Sequence, residues 1–298
     1  MTLLLITDAL LAGESKSFAL HPALIDFRRQ LAAMRRQWFR TPDNNPLGWY
    51  AALVDTTPAA LLAARCTDLP ANARQVWVAS PYHAIMGRET VRVLPEVDFL
   101  WGEADSTWLC DELNPLLEED GMSLHVCGAA MLLASHVPLD TAPLSFASIS
   151  GNVLPNRHPE GVDGGRLMRL LSEIQMSLHN KPQPTRSGQP EVHGLWLWGA
   201  CEIPSELPVG LPPAATLNPV LQALEHGHGA RITITESAHL SDLLASRKLP
   251  PAVLLAGAGH AALLHKALMP RFGREWQAGF VAPEADLLVC MRKLADAA

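Results

Sequence analysis

The chain has 298 residues, 48% of them apolar, and a formal net charge of −7. Such an apolar fraction can fill one large α/β domain or two smaller ones. The acidic balance excludes a general nucleic-acid binder, which carries a basic face.

The opening MTLLLITDAL lacks a positive n-region, and Asp8 interrupts its apolar run, so it does not read as a signal peptide. Thr2 to Thr7 reads as a short buried strand. Leu24, Phe27, Leu31, Met34 and Trp38 are three or four apart, which predicts one helix over His21 to Phe39, with Pro22 in its first turn. Arg28, Arg29, Arg35, Arg36 and Arg40 would then form a solvated face. TPDNNPLG at 41–48 is turn chemistry. A second helix is predicted over Thr57 to Ala64 and a strand over Val76 to Ala79. Val91 to Val93 and Asp98 to Trp101 read as further strands of a small antiparallel section. Thr107 to Glu119 predicts a helix, capped by Asp105 or Ser106 and ended by Asp120-Gly121. Ser123 to Cys127 and Met131 to Ala134 predict a hairpin.

Residues 137 to 163 are rich in Pro, Ser, Gly and Asn and form a long connection, a kind that commonly carries function or disorder. Asp163 can cap a helix from Gly164 to His179, whose buried stripe is Leu167, Leu170, Leu171, Ile174 and Leu178. Lys181-Pro182 stops it. Gly194 to Trp198 is apolar on both faces, as in a central strand. Arg231 to Glu236 alternates as a half-buried strand does. Ala252 to Ala256 predicts a buried strand, Ala261 to Met269 a helix and Asp286 to Met291 a last strand. Strands and helices intermix throughout, which predicts a layered α/β sheet with helices on both faces. No linker separates two parts, so residues 1–298 read as a single domain, with an alternative boundary near 145.

The five cysteines, Cys66, Cys110, Cys127, Cys201 and Cys290, are odd in number and widely spaced. That suits a reducing compartment better than a disulfide framework. No uncharged apolar run approaches the ~20 residues of a membrane helix. The expectation is a cytoplasmic protein that binds neither membrane nor nucleic acid.

EIQMSLH at 173–179, a following proline and GLWLWG at 194–199, preceded by LCDELNPLLEEDGMSLHV from Leu109, resemble the RpfE-type regulatory protein family of proteobacteria. LLLITDALL and HPALIDF resemble that family's start. It is grouped as cofactor-independent phosphoglycerate mutase-like, so the resemblance implies a fold distantly like that of alkaline phosphatase and phosphoglycerate mutase. Enzymes of that superfamily use two metals held by Asp and His, and a Ser or Thr nucleophile. By resemblance, Asp8 sits where a first metal-binding Asp is expected. Ala9 follows it in place of the usual Gly, and the nucleophile segment and paired Asp-His ligands are not found.

Several residues are candidates on chemistry alone. Glu173, Gln175 and His179 could face a polar ligand from the helix before the loop, or else tie that loop down. Trp196 and Trp198 point the same way along their strand and read as core. Cys201 and Glu202 follow the strand, where α/β sheets tend to bind ligands. Among the twelve histidines, His226 and His228 are two apart in EHGHGAR, a weak metal pattern without companions. Gly257 and Gly259, with Ala262, fit a G-x-G-x-x-A turn able to bind a phosphate if a helix follows. No G-x-S-x-G elbow marks Ser145, Ser148 or Ser150 as a nucleophile.

The leading expectation is a non-catalytic regulatory or assembly protein that acts through a protein partner and needs no cofactor. The alternatives are a metal-dependent phosphatase or phosphomutase using Mn, Zn or Mg, and a small-molecule or nucleotide sensor.

Overall fold

A computed structural model describes residues 3–7, 9–12, 18–41, 45–53, 55–64, 66, 68–127, 130–184, 188–203, 214–216, 232–234, 252–257, 259–266 and 281–296. The chain divides into two compact units. Residues 1–55 and 209–298 form the first, and residues 56–208 form the second. Residue 145 lies inside the second unit.

The first segment carries β1 (Leu3–Ile6), β2 (Leu10–Ala12), β3 (Phe18–Leu20), α1 (Arg28–Ala33), β4 (Arg35–Arg40) and α2 (Pro46–Leu53). The helix expected over 21–39 is half right. A 3-10 turn over Pro22–Phe27 leads into α1, and the chain turns extended at Met34, ψ 152°. Trp38 and Phe39, both buried, then face opposite sides of a strand. The 3–4 spacing ran on across this break by coincidence, and sheet pairing overrode it.

The second unit holds α3 (Pro58–Ala63), β5 (Gln75–Tyr82), β6 (Ala84–Met86), β7 (Val91–Val93), α4 (Glu103–Leu117), β8 (Met122–Cys127), β9 (Ala130–Ser135), α5 (Phe146–Ile149), α6 (Gly164–His179) and β10 (Gly194–Glu202). Its main sheet runs β10-β5-β9-β8, all antiparallel. Thr57 caps α3 by accepting from the Ala60 N–H, with Pro58 in the first turn. The cap of α4 is Gly102, not Asp105 or Ser106, and Asp105 accepts from the Gly102 N–H at 2.9 Å. Residues 98–101 are not a strand. They follow a 3-10 turn at Glu96–Asp98, and Phe99 stacks on Trp101.

Strand β10 lies at the sheet edge, not the centre as expected. It is buried there because α3 and α6 pack against it. Gly199 sits at φ 63°, and the register slips between Trp198 and Cys201. This is a β-bulge, and glycine supplies the backbone it requires. Trp196 and Trp198 are buried, and both indoles are satisfied. Trp196 Nε1 donates to the Leu144 carbonyl at 2.8 Å and Trp198 Nε1 to Ser80 Oγ at 2.9 Å.

The chain returns to the first unit as β11 (Ala214–Thr216), β12 (Ile232–Ile234), β13 (Ala252–Gly257), β14 (His260–His265), β15 (Val281–Ala282) and α7 (Glu284–Asp296). The sheet order is β12-β11-β1-β13-β14-β4-β15, parallel except for β14. Leu4, Ile6, Leu31, Trp38, Val253, Leu255 and Leu264 form one core, with Phe18 stacked on Trp38. Trp49 of α2 donates to Glu284 of α7 at 2.6 Å, and Arg292 of α7 pairs with Asp55.

Two expected elements here are corrected. Residues 260–265 are a strand, not the start of a helix. Ala261–Leu264 between the two histidines is a continuous apolar run, so its pattern carries no period to separate the two. The segment expected as a last strand is helix α7. Pro283 precedes it, Glu284 and Asp286 fill its first turn, and Leu287 and Met291 are buried four apart.

Two expected outcomes follow. Trp196→Ala and Trp198→Ala should each lower stability by ~3–5 kcal/mol, read as a falling melting temperature. An unchanged melt would place the indoles outside the core. Gly257 has φ 151°, and a Cβ there would lie 2.4 Å from the Leu10 carbonyl oxygen; Gly259, at φ 70°, has open space around it. Gly259→Ala should therefore cost about 1 kcal/mol in denaturant unfolding. Gly257→Ala should cost at least about 2 kcal/mol more. Equal costs would contradict this packing.

Candidate functional site

Helix α6 is strongly amphipathic, and its polar residues split between two neighbourhoods. Glu173 lines a hollow of about 130 Å³ with Asp120, Arg166 and Arg169. Gln175 points elsewhere, and its amide donates to the Tyr82 hydroxyl at the end of β5. His179, one turn on, is exposed at the helix end. The three candidates therefore do not converge on one ligand.

Beyond Tyr82, the His83 and His193 rings stack with centroids 4.4 Å apart. His83 Nδ1 lies 2.9 Å from the Glu191 carbonyl. The Ala84 N–H lies 2.9 Å from His193 Nδ1, and the Ala84 carbonyl oxygen lies 3.1 Å from the same nitrogen. Burial, and then the neighbouring His83, hold the His193 pKa below its ordinary value. Gln183 closes the same corner: its amide donates to the Val192 carbonyl and its oxygen accepts from the Val192 N–H.

The long connection 137–163 is tied to the sheet. Gln75 donates to the Leu139 carbonyl and accepts from its N–H. Asp163 takes the Asp140 N–H on its carboxylate, so it begins α6 without capping it by side chain. Ser145 caps α5, its hydroxyl meets that of Ser148, and Ser150 accepts from the Glu96 N–H. All three serines hold the loop.

Cys201 and Glu202 do not lie beyond their strand. The bulge carries β10 on to pair them with Val76 and Gln75. Burial raises the Cys201 thiol pKa, against a hydrogen bond with Thr57. A raised thiol is a poor nucleophile. Gly257 and Gly259 flank a turn between antiparallel strands, so no helix N-terminus follows to receive a phosphate. Asp8, His226 and His228 lie outside the described residues. Among the described residues, no three His, Cys, Asp or Glu side chains gather as a metal site, and no helix is long and apolar enough to cross a membrane.

The strand expected over Val91 to Val93 is present as β7, and its antiparallel partner β6 is the part no sequence pattern marks. Ile85 pairs with Arg92, and Arg92 bridges on its other side to Val153. Residues directly opposite share a face, so Ile85, Arg92 and Val153 stand in a row. Ile85 is 44% exposed and Val153 46%, and Arg92 is exposed between them. Met86, next along, is 77% exposed. The signal was an apolar pair beside a Gly87-Arg88-Glu89 turn, with no period to show which residues face water.

No known family model matches the chain, and no curated protein matches it. Solved structures similar to it include the cofactor-independent phosphoglycerate mutase from Thermoplasma acidophilum DSM 1728. That likeness has 11% identity, 99% of this chain and 100% of that one covered, and a TM-score of 0.37. The PH0037 protein of Pyrococcus horikoshii is similar at 10% identity, with 100% and 98% covered and a TM-score of 0.45. Both likenesses are distant. The chain itself is a mixed α/β protein.

The His193 geometry sets a pH dependence. Its folded pKa lies below the unfolded value of ~6.5. The unfolded chain therefore binds more protons as pH falls below ~6.5, and stability drops until the folded pKa is passed. Half-buried His125 contributes with the same sign. His193→Asn keeps a polar partner for the Ala84 backbone without a titrating ring. Thermal melts from pH 7.5 to 5 should decline less steeply in this variant; identical slopes would rule His193 out.

Proposed function

We propose that this chain is a non-catalytic regulatory or assembly protein that acts through protein contacts. The observation that carries the reading is the exposed row Ile85, Arg92 and Val153. Aliphatic side chains around an arginine lose water readily on contact, and Arg is enriched at interfaces. The ribbon continues directly from a core strand, so little ordering would be needed on binding. Further support comes from the groups that chemistry would need. Ser145, Ser148 and Ser150 are engaged in loop structure, Cys201 is held as a thiol, and His193 Nδ1 lies at the Ala84 backbone. On this reading the mutase-like scaffold serves as a frame for contacts in the cytoplasm.

The test is a photo-reactive residue placed at Ile85 or Val153 in native cells. It should cross-link a discrete partner, and Arg92→Glu should abolish the product. The same probe at exposed Glu119 should give none. Since these positions are surface ones, stability should change by no more than about 0.5 kcal/mol. Cross-linking that is indifferent to Arg92 would remove the ribbon from the interface. A second assay addresses chemistry directly, with 3-phosphoglycerate and a generic phosphomonoester in the presence of Mg, Mn or Zn. No turnover is expected. Metal-dependent turnover that disappears in Asp8→Ala would overturn the reading and establish a phosphatase or phosphomutase.

A further inference from the structure

The two thiols at one corner of the second unit are placed reciprocally. Cys66 follows the end of α3, and Cys127 ends β8. Cys66 Sγ lies 3.9 Å from the carbonyl of Val126, the residue before Cys127. Cys127 Sγ lies 3.9 Å from the carbonyl of Leu62, one helical turn before Cys66. The Cys127 side chain and the Asp68 backbone both interact with Cys66. No disulfide joins any of the five cysteines.

We propose that Cys66 and Cys127 form a redox-active dithiol that a peroxide converts to an intramolecular disulfide. Cys66 is the attacking thiol, since it is partly exposed and Cys127 is buried. The Cys127 thiol held against it, ahead of the opposing effect of burial, draws its pKa below the ordinary value and raises its thiolate fraction. The Cys66 thiolate attacks one peroxide oxygen. The O–O bond breaks, and the departing hydroxide takes a proton and leaves as water. Cys66 is now a sulfenic acid. The Cys127 sulfur attacks the Cys66 sulfur, forming the S–S bond and breaking S–O; the hydroxide takes the Cys127 proton and leaves as a second water. Two thiols and one hydrogen peroxide give one disulfide and two waters, and a dithiol reductant reverses the change.

The third thiol nearby explains why the pair is selective. Cys110 on α4 is buried, and burial, then the neighbouring Asp111, push its pKa up to about 12. It stays protonated and competes poorly for either partner. A bond between Cys66 and Cys127 would tie the end of α3 to the β8–β9 turn. Its reactants are 61 positions apart, so no local sequence motif announces it.

The experiment uses the wild-type chain, so it does not depend on a variant folding. Reduced protein is treated with graded hydrogen peroxide, blocked with an alkylating agent and digested without reduction. The expected result is loss of two of the five thiols per chain, a linked peptide joining Cys66 to Cys127, and full recovery with dithiothreitol. Cys66 should react at least about tenfold faster than Cys110. Cys127→Ser should leave Cys66 as a sulfenic acid that dimedone traps, and Cys110→Ser should behave as wild type. Links from Cys66 to another cysteine, disulfide-linked dimers, or first oxidation at Cys201 or Cys290 with Cys66 intact would each overturn the proposal.

Discussion

The pairing of β10 with β5 is the constraint on which the second unit depends. It runs antiparallel from Gly194 opposite Tyr82 to Glu202 opposite Gln75. Each end of β5 also fixes something outside the sheet. At one end, the Gln75 side chain holds both backbone groups of Leu139 and receives Trp77 Nε1. That anchors the long connection, whose backbone would otherwise need partners of its own. At the other end, the Tyr82 hydroxyl accepts from Gln175 and so sets the rotation of α6 about its axis. Burial raises the Tyr82 pKa, so the hydroxyl remains neutral and keeps its proton.

Gly194 shows how tight this junction is. A Cβ there would lie 2.7 Å from the Tyr82 hydroxyl oxygen. The ring therefore packs directly on the backbone of β10. Glycine opens the strand because no side chain fits, while the tryptophans two and four residues later fill the space that follows. Chain composition, close packing and helix orientation are linked at one point.

The sequence revealed what strong periodicity encodes. Helix α6 was legible to the residue at both ends, because its apolar stripe is regular and Pro182 follows it. The β8–β9 hairpin and β5 were legible as apolar runs bounded by turn residues. The misread segments have a common cause. Arg35–Arg40 continued a helical spacing by accident, His260–His265 has no polar face to set a period, and α7 carries exposed Val289 in its apolar set. The candidate residues fared similarly. Tryptophans were identifiable as core because their size leaves few alternatives. Gln175 and His179 do share a face, but Tyr82, the partner of Gln175, comes from a strand distant in sequence, which spacing cannot reveal. The Cys66–Cys127 contact and the Ile85–Arg92–Val153 row arise only once the sheet is assembled.

The exposed ribbon inherits its rigidity from the buried sheet. Only His83 separates β5 from β6, so the ribbon leaves the core without a flexible joint. The His83–His193 stack braces that single residue, and the Leu94 N–H donates to the His83 carbonyl across the ribbon's base. Val93 is buried while Arg92 is exposed, so one face of the ribbon is anchored and the other is left to solvent. The Val153 segment adds a third strand-like edge through hydrogen bonds from Leu154 to Val91 and from Gly151 to Val93. A lone two-stranded ribbon is marginal in water, and a third edge with a buried side is what makes such a surface persist. The apolar row is thus held open by the same pairing that shields the tryptophans, and exposure there is a property of the fold, not of a loose loop.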